Sequence, residues 1–265
     1  MLIGVFDSGI GGITVLSELK QQLPEWVNYV YLGDTAHVPY GPKSSSQIQK
    51  LSVDCVQLLK SKGIDALVVA CNTAASHAMA EIQKVMSPIP VIGVVEPGIE
   101  AALQTQPSST LLVFATRATV RSQAYSKGLR AILKAHHDPL ESVSIHEQAC
   151  PLLVPIIEEG WLDHSILHQT LAEYVRPYVN LPTPGVALLG CTHYPWIHKA
   201  FEQALPGWKV INSARAVSDY LQRASWFQQK TKPKKASTEK RVEWIFTDPE
   251  AVPEFARDFI KNIGE

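Results

Sequence analysis

Cysteine is scarce in this chain. Its 265 residues include four, at positions 55, 71, 150 and 191, with no Cys-x-x-Cys pair and no metal-ligand spacing. Such a set builds neither a disulfide framework nor a zinc site, and no His/Asp/Glu cluster has metal spacing either. No lysine sits in a recognisable pyridoxal phosphate context, and the one glycine-rich stretch is not a dinucleotide fingerprint. No apolar run approaches the ~18 residues of a membrane helix. Net charge is also lacking: a formal -1 and a pI near 6.8 set up no field for nucleic acid or an anionic membrane. The most basic segment, residues 230–235, reads as a solvated linker before a contact patch. Residues 1–7 lack a basic leader and read as a first strand rather than a signal peptide. These absences point to the cytoplasm, where thiols stay reduced.

What the chain does have is 46% apolar content and a rhythm. Short Val/Ile/Leu-rich runs at 2–6, 29–32, 66–70, 91–95, 111–115, 186–190 and 209–211 nearly all end in polar or glycine-rich clusters. Runs of this kind suit strands buried on both faces. Between them lie amphipathic stretches, with Ile48, Leu51, Cys55 and Leu58 on one helical stripe and Ile13, Leu16 and Leu19 on another. Strand, polar turn and helix in alternation predict parallel α/β sheets, with ligands at the carboxyl ends of the strands. A last strand is expected at 242–246 after a polar loop at 228–241, then a closing helix from about Pro249.

One internal echo organises the rest. Ala66-Leu-Val-Val-Ala-Cys71-Asn-Thr73 and Val186-Ala-Leu-Leu-Gly-Cys191-Thr-His193 match position for position. Two such half-sites predict an α/β fold of two similar domains, pseudo-twofold related, with the active site in the cleft between them. Glu96-Pro97-Gly98 and Pro206-Gly207 mark the expected crossings. The first domain then takes residues 1–95 and 208–265, and the second takes 96–207.

Free cysteine usually behaves as a small buried hydrophobe. Cys55, on an apolar helix face, and Cys150, before Pro151, fit that description. Cys71 and Cys191 differ, because each ends a strand beside polar donors and each matches the other. Two opposed thiols suit inversion at a carbon acid, where one base removes a proton and the other returns it on the opposite face. Asp7-Ser8-Gly9-Ile10-Gly11-Gly12 reads either as a capped helix start or as a site segment. In the second case Asp7 stands beside a thiol, Ser8 meets substrate and glycine N–H groups approach an anion. His193 either serves the structure or steadies a thiolate. Tyr40-Gly41-Pro42 is a turn with backbone able to meet a carboxylate.

Taken together, Phe6-Asp-Ser-Gly-Ile-Gly-Gly12, Tyr31-Leu-Gly-Asp-Thr35, Pro39-Tyr40-Gly41, Ala70-Cys-Asn-Thr-Ala74, Ala149-Cys-Pro151, Glu158-Glu-Gly160 and Gly190-Cys-Thr-His-Tyr-Pro195 resemble the glutamate racemases of the aspartate/glutamate racemase superfamily. The resemblance runs from residue 3 to about 250. It implies that Cys71 and Cys191 are the two bases interconverting L- and D-glutamate, without a cofactor and with no metal. It makes Asp7 and His193 their assistants and Glu147 a further acid near the second thiol. Substrate contacts are implied for Asp7, Ser8, Tyr40, Gly41, Asn72, Thr73, Thr116, Thr119, Thr192 and His193. A homodimer and a supply of D-glutamate to peptidoglycan are implied as well. One departure stands out: Ala115 where the family has glycine, whose methyl would shift the backbone carrying Thr116. Two readings compete, a racemase for aspartate or another small amino acid and a thiol-redox or binding protein that captures an acidic ligand without turnover.

Overall fold

The computed structural model describes residues 1–105, 110–135, 143–181, 183–230 and 241–264. Nine strands form two sheets, and every described strand pair is parallel. The first sheet holds β1 (Leu2–Asp7), β2 (Asn28–Gly33), β3 (Ala66–Val69), β4 (Val91–Gly93) and β9 (Val242–Phe246), in the order β4-β3-β1-β2-β9. The second holds β5 (Thr110–Ala115), β6 (Ser144–Ala149), β7 (Val186–Gly190) and β8 (Lys209–Asn212), in the order β6-β5-β7-β8. Parallel neighbours need crossovers, and helices supply them. In the first half these are α1 (Ile13–Gln22), α2 (Ser45–Ser61), α3 (Asn72–Met86) and α4 (Val95–Gln104). The middle of the chain gives α5 (Arg117–Ser122), α6 (Ala124–Ala135), α7 (Leu153–Glu158), α8 (Ser165–Val175) and α9 (His198–Ala204). The last are α10 (Ser213–Arg223), α11 (Ser225–Gln228) and α12 (Glu254–Gly264).

Strand alternation accounts for the core of the second sheet. Leu112, Phe114, Ala187 and Leu189 point into a cluster on one face. Leu111, Val113, Ala115, Val186 and Leu188 point into another on the opposite face. That is why these strands read as continuous apolar runs. β6, Ser-Ile-His-Glu-Gln-Ala, is an edge strand left partly exposed, and it has no such run to betray it. Helix α2 begins with a capping box, in which Ser44 Oγ accepts from Gln47 N and Gln47 Oε1 accepts from Ser44 N. Its buried face is Ile48, Ser52, Cys55, Val56 and Leu59. Leu58, expected on that stripe, is 42% exposed, one helical step out of phase.

The crossings differ from expectation in detail. Glu96-Pro97-Gly98 lies within the first turn of α4, where a proline's missing N–H costs no hydrogen bond. The chain therefore leaves the first sheet through a helix start rather than a linker. The return was expected at Pro206-Gly207, with residue 208 onward in the first domain. Instead β8 pairs with β7, Ala187 opposite Val210 and Leu188 opposite Ile211, so residues 209–212 belong to the second sheet. The return comes after Asn212, through α10, whose Ala214, Val217 and Leu221 join the first core. Residues 231–240, the body of the expected 228–241 loop, lie outside the described residues, as does most of the basic 230–235 segment. Among the described residues no helix is long and apolar enough to cross a membrane.

Candidate active site

Both echoing cysteines reach the same place. Cys71 follows β3 as the N-cap of α3, and Cys191 follows β7. Both line a cavity of about 500 Å³ at the carboxyl ends of the two sheets. Ser8, Gly9, Tyr40, Gly41, Asn72 and Thr73 line it from the first sheet's side. Thr116, Thr192 and His193 line it from the second, together with Arg117, Cys150 and Glu158.

Side-chain bonds cross between the two halves. Thr73 Oγ1 lies 2.9 Å from Thr116 Oγ1, and Thr192 Oγ1 donates to Asp7 Oδ1 at 3.3 Å. Asn72 Nδ2 donates to Tyr125 Oη at 2.7 Å, and Thr14 Oγ1 lies 2.9 Å from the Thr192 carbonyl it donates to. Gly11 makes this approach possible. A Cβ there would lie 2.3 Å from Thr192 Oγ1 and 2.5 Å from His193 Nδ1, far inside contact distance.

The two thiols have different company. The Cys71 S–H donates to Ser8 Oγ at 3.1 Å, while its sulfur accepts from Ala74 N at 3.4 Å. Burial, and then the Asp7 carboxylate, push this thiol up to about 12, against the bonds from Ser8 and Ala74. Cys71 is therefore a neutral thiol near neutrality. Asp7 itself is fully buried. Burial holds its carboxyl above the usual range, although the charge of His193 and bonds from Gly9, Gly12 and Thr192 pull it down. Gly9 N donates to Asp7 Oδ2 at 2.9 Å, so one anion the glycine turn meets is Asp7's own carboxylate.

Around Cys191 the partner is basic. Its sulfur lies 3.9 Å from His193 Nδ1, and His193 Nε2 lies 2.9 Å from Glu158 Oε1. Burial pulls the imidazole down, but Cys191 and Glu158 outweigh it and push His193 up to about 10. Both neighbours thus favour the protonated form of the ring.

Not every expected residue touches the cavity. Glu147 is on β6, where its carboxylate accepts from Ser126 N at 3.1 Å and from Ser126 Oγ. It fixes the first turn of α6, and Glu158 is the acid that meets His193. Asp7 and Thr119 are absent from the cavity's lining and stand behind it. Thr119 Oγ1, 3.0 Å from Thr116 Oγ1, steadies the cross-cleft threonines. Tyr40 is buried with its hydroxyl on Asp34 Oδ2 at 2.7 Å, so main chain is what the Tyr40-Gly41 turn offers. Ala115 is fully buried and pairs with Ala149 and Gly190, and Thr116 keeps its place in the wall despite the extra methyl. Cys55 and Cys150 are buried thiols, both held neutral chiefly by burial. Cys150 nevertheless lines the cavity, which its position before a proline did not announce.

The sequence profile of the Asp/Glu/Hydantoin racemase family matches residues 3–221. The chain belongs to this family. A glutamate racemase from Sulfurihydrogenibium sp. is 40% identical over 222 residues, 83% of this chain and 82% of that protein. Among solved structures, a glutamate racemase isoform from Bacillus anthracis superposes with a TM-score of 0.87 at 31% identity, covering 98% of this chain and 94% of that one. The glutamate racemase of Francisella tularensis, solved in complex with D-glutamate, gives 0.85 at 30% identity, covering 98% and 93%. This chain shares the two-domain α/β fold of these two structures, and it is an isomerase of that family.

Proposed function

We propose that this protein is a cofactor-independent glutamate racemase that inverts Cα with Cys71 and Cys191 as its two bases. The observation that carries this reading is that two thiols just past the ends of strands in different sheets line one cavity, each with a different charged neighbour. In one direction a thiolate removes the Cα proton, and the electron pair passes into the α-carboxylate as a planar carbanion. The opposite thiol then delivers its proton to the other face. The first sulfur ends protonated and the second ends as thiolate, so atoms and charge balance, and the reverse turnover restores the starting state.

The partners suit these tasks. On the Cys71 side a neutral thiol is ready to give a proton, and Asp7, whose charge it feels, is the group to draw that proton off when the thiol must act as base. On the Cys191 side a protonated His193 puts positive charge 3.9 Å from the sulfur, where a proton must leave and return. A general acid or base matched in this way is worth ~10²- to 10⁴-fold in rate. Asn72 Oδ1 is buried and finds no donor among the described residues. It suits the α-ammonium, whose retained proton keeps the neighbouring Cα acidic. Hydroxyls of Ser8, Thr73, Thr116 and Thr192, with the main chain of Tyr40 and Gly41, suit the two carboxylates.

The reading places the enzyme in the cytoplasm as a homodimer supplying D-glutamate to peptidoglycan. Rescue of a D-glutamate-requiring bacterium by this chain tests the supply role. The enzymatic test is exchange in D2O with no pyridoxal phosphate or metal added. The Cα proton of both glutamate enantiomers is expected to wash out, with loss of optical activity. Activity on L-aspartate but not L-glutamate would overturn the choice of substrate, and tight glutamate binding without exchange would turn the reading to a binding protein.

A further inference from the structure

Tyr125 lines neither thiol, yet it contacts both half-sites. It is fully buried at the start of α6, in the second half of the molecule. Its hydroxyl oxygen accepts from Asn72 Nδ2 at 2.7 Å, and Asn72 is the residue after Cys71. Its ring packs against Gly190, the residue before Cys191. A Cβ on Gly190 would stand 3.1 Å from Tyr125 Cε2 and 3.0 Å from the Phe114 carbonyl, so the ring occupies space a side chain there would need. Two features fix where α6 begins. Gln123 adopts a left-handed φ of 56°, ending α5, and Glu147 accepts from the backbone N–H of Ser126.

A carboxamide has two ends, and rotating it by half a turn exchanges a donor for an acceptor. With Nδ2 committed to Tyr125, Oδ1 is left as the free end, buried and without a donor among the described residues. Asn72 lines the cavity. A fixed acceptor of this kind suits a primary ammonium, while the flipped amide would present N–H groups that repel it.

We propose that Tyr125 is a positioning residue for the ammonium subsite: by accepting from Nδ2 it anchors the Asn72 carboxamide and leaves Oδ1 for the substrate's amino group. The inference rests on the amino-acid substrate proposed above. Its specific consequence is that Tyr125 matters for ligands with an α-amino group and not for the dicarboxylate frame. Glutarate, which has the two carboxylates of glutamate and no amine, is the probe that separates these.

The test is steady-state kinetics of Tyr125→Phe with both enantiomers, with glutarate as competitive inhibitor. Loss of one hydrogen bond predicts KM for D- and L-glutamate raised about three- to tenfold, with a smaller change in kcat. The glutarate Ki should stay at its wild-type value. Asn72→Ala should show the same selectivity for the amine, and adding Tyr125→Phe to it should cause no further loss, because the tyrosine acts through the asparagine. KM and Ki rising together, or a double variant clearly worse than Asn72→Ala, would reduce Tyr125 to a general structural role and overturn the proposal. Wild-type KM in Tyr125→Phe, from an enzyme that racemises glutamate, would overturn it alone. A wild-type enzyme that ignores glutamate would overturn the substrate reading first and this inference with it.

Discussion

The two half-sites began as near copies in sequence and end as chemical opposites. Cys71 caps the start of a fifteen-residue helix, and burial, then the buried Asp7 carboxylate, push its thiol up to about 12. Cys191 lies 3.9 Å from an imidazole that Glu158 helps raise to about 10. An acidic partner favours the protonated sulfur, and a cationic partner favours the ionised one. Under the proposed two-base inversion one sulfur must be thiol and the other thiolate before each turnover, and unlike partners suit that difference better than two identical half-sites. The lesson is that matching strands deliver the two sulfurs to one cavity, while the neighbours they meet there differ in charge.

The strongest challenge to this comparison is removal of either sulfur. Cys71→Ser and Cys191→Ser should each lower racemisation by ~10²- to 10⁴-fold. In D2O each should keep exchange from at most one enantiomer, a different one in each variant. Full racemisation by either variant would contradict two-base inversion. Substituting the partners should sharpen the asymmetry. Asp7→Asn and His193→Asn should each slow proton removal from one enantiomer about ten- to a hundredfold more than from the other, in opposite senses. Equal losses in both directions would show that the partners serve both sulfurs alike.

A smaller effect concerns pH. The pKa of His193 is raised above its ordinary value of 6.5, so its protonated form is favoured at neutral pH and lost as pH rises through about 10. Activity that needs the imidazolium should fall on that alkaline limb. Glu158→Gln removes a charge that raises the ring, so the limb of kcat/KM should move toward neutral pH. A limb that stays put would detach Glu158 from this role. Smallest of all, Cys150→Ala deletes one buried sulfur against Leu153 and Tyr194 and should lower stability by about 1 kcal/mol, read by chemical denaturation, with racemisation close to wild type.

Much of this was legible in the chain. Buried parallel strands announce themselves because both of their faces are apolar, and the polar residues that follow them fall at the ligand-bearing edge. Cys71, Cys191, Ser8, Asn72, Thr73, Thr192 and His193 are expected at a site on that ground, and all of them line the cavity. Glu158 was not. It reaches His193 from the end of α7, and which carboxylate meets an imidazole depends on how a helix docks, a tertiary fact that spacing does not encode. Glu147 was a plausible acid in the wrong place for the same reason, bonded instead to Ser126. β6 escaped because an edge strand carries a weak pattern, and the crossing at Asn212 escaped because the run at 209–211 does not say which sheet it joins. The glycine turn reads either as a capped helix start or as an anion cradle, and its Gly9 N–H does meet an anion, the Asp7 carboxylate. That anion belongs to the protein, and Gly11 is small because Thr192 and His193 arrive from the other half.

The central claim is stereochemical, and a crystal structure of the enzyme with D-glutamate measures it directly. Both sulfurs should lie about 3–3.5 Å from Cα, on opposite faces of the carbon, with the ammonium on Asn72 Oδ1. Sulfurs on one face, or one sulfur beyond reach of Cα while substrate is bound, would contradict inversion between two thiols.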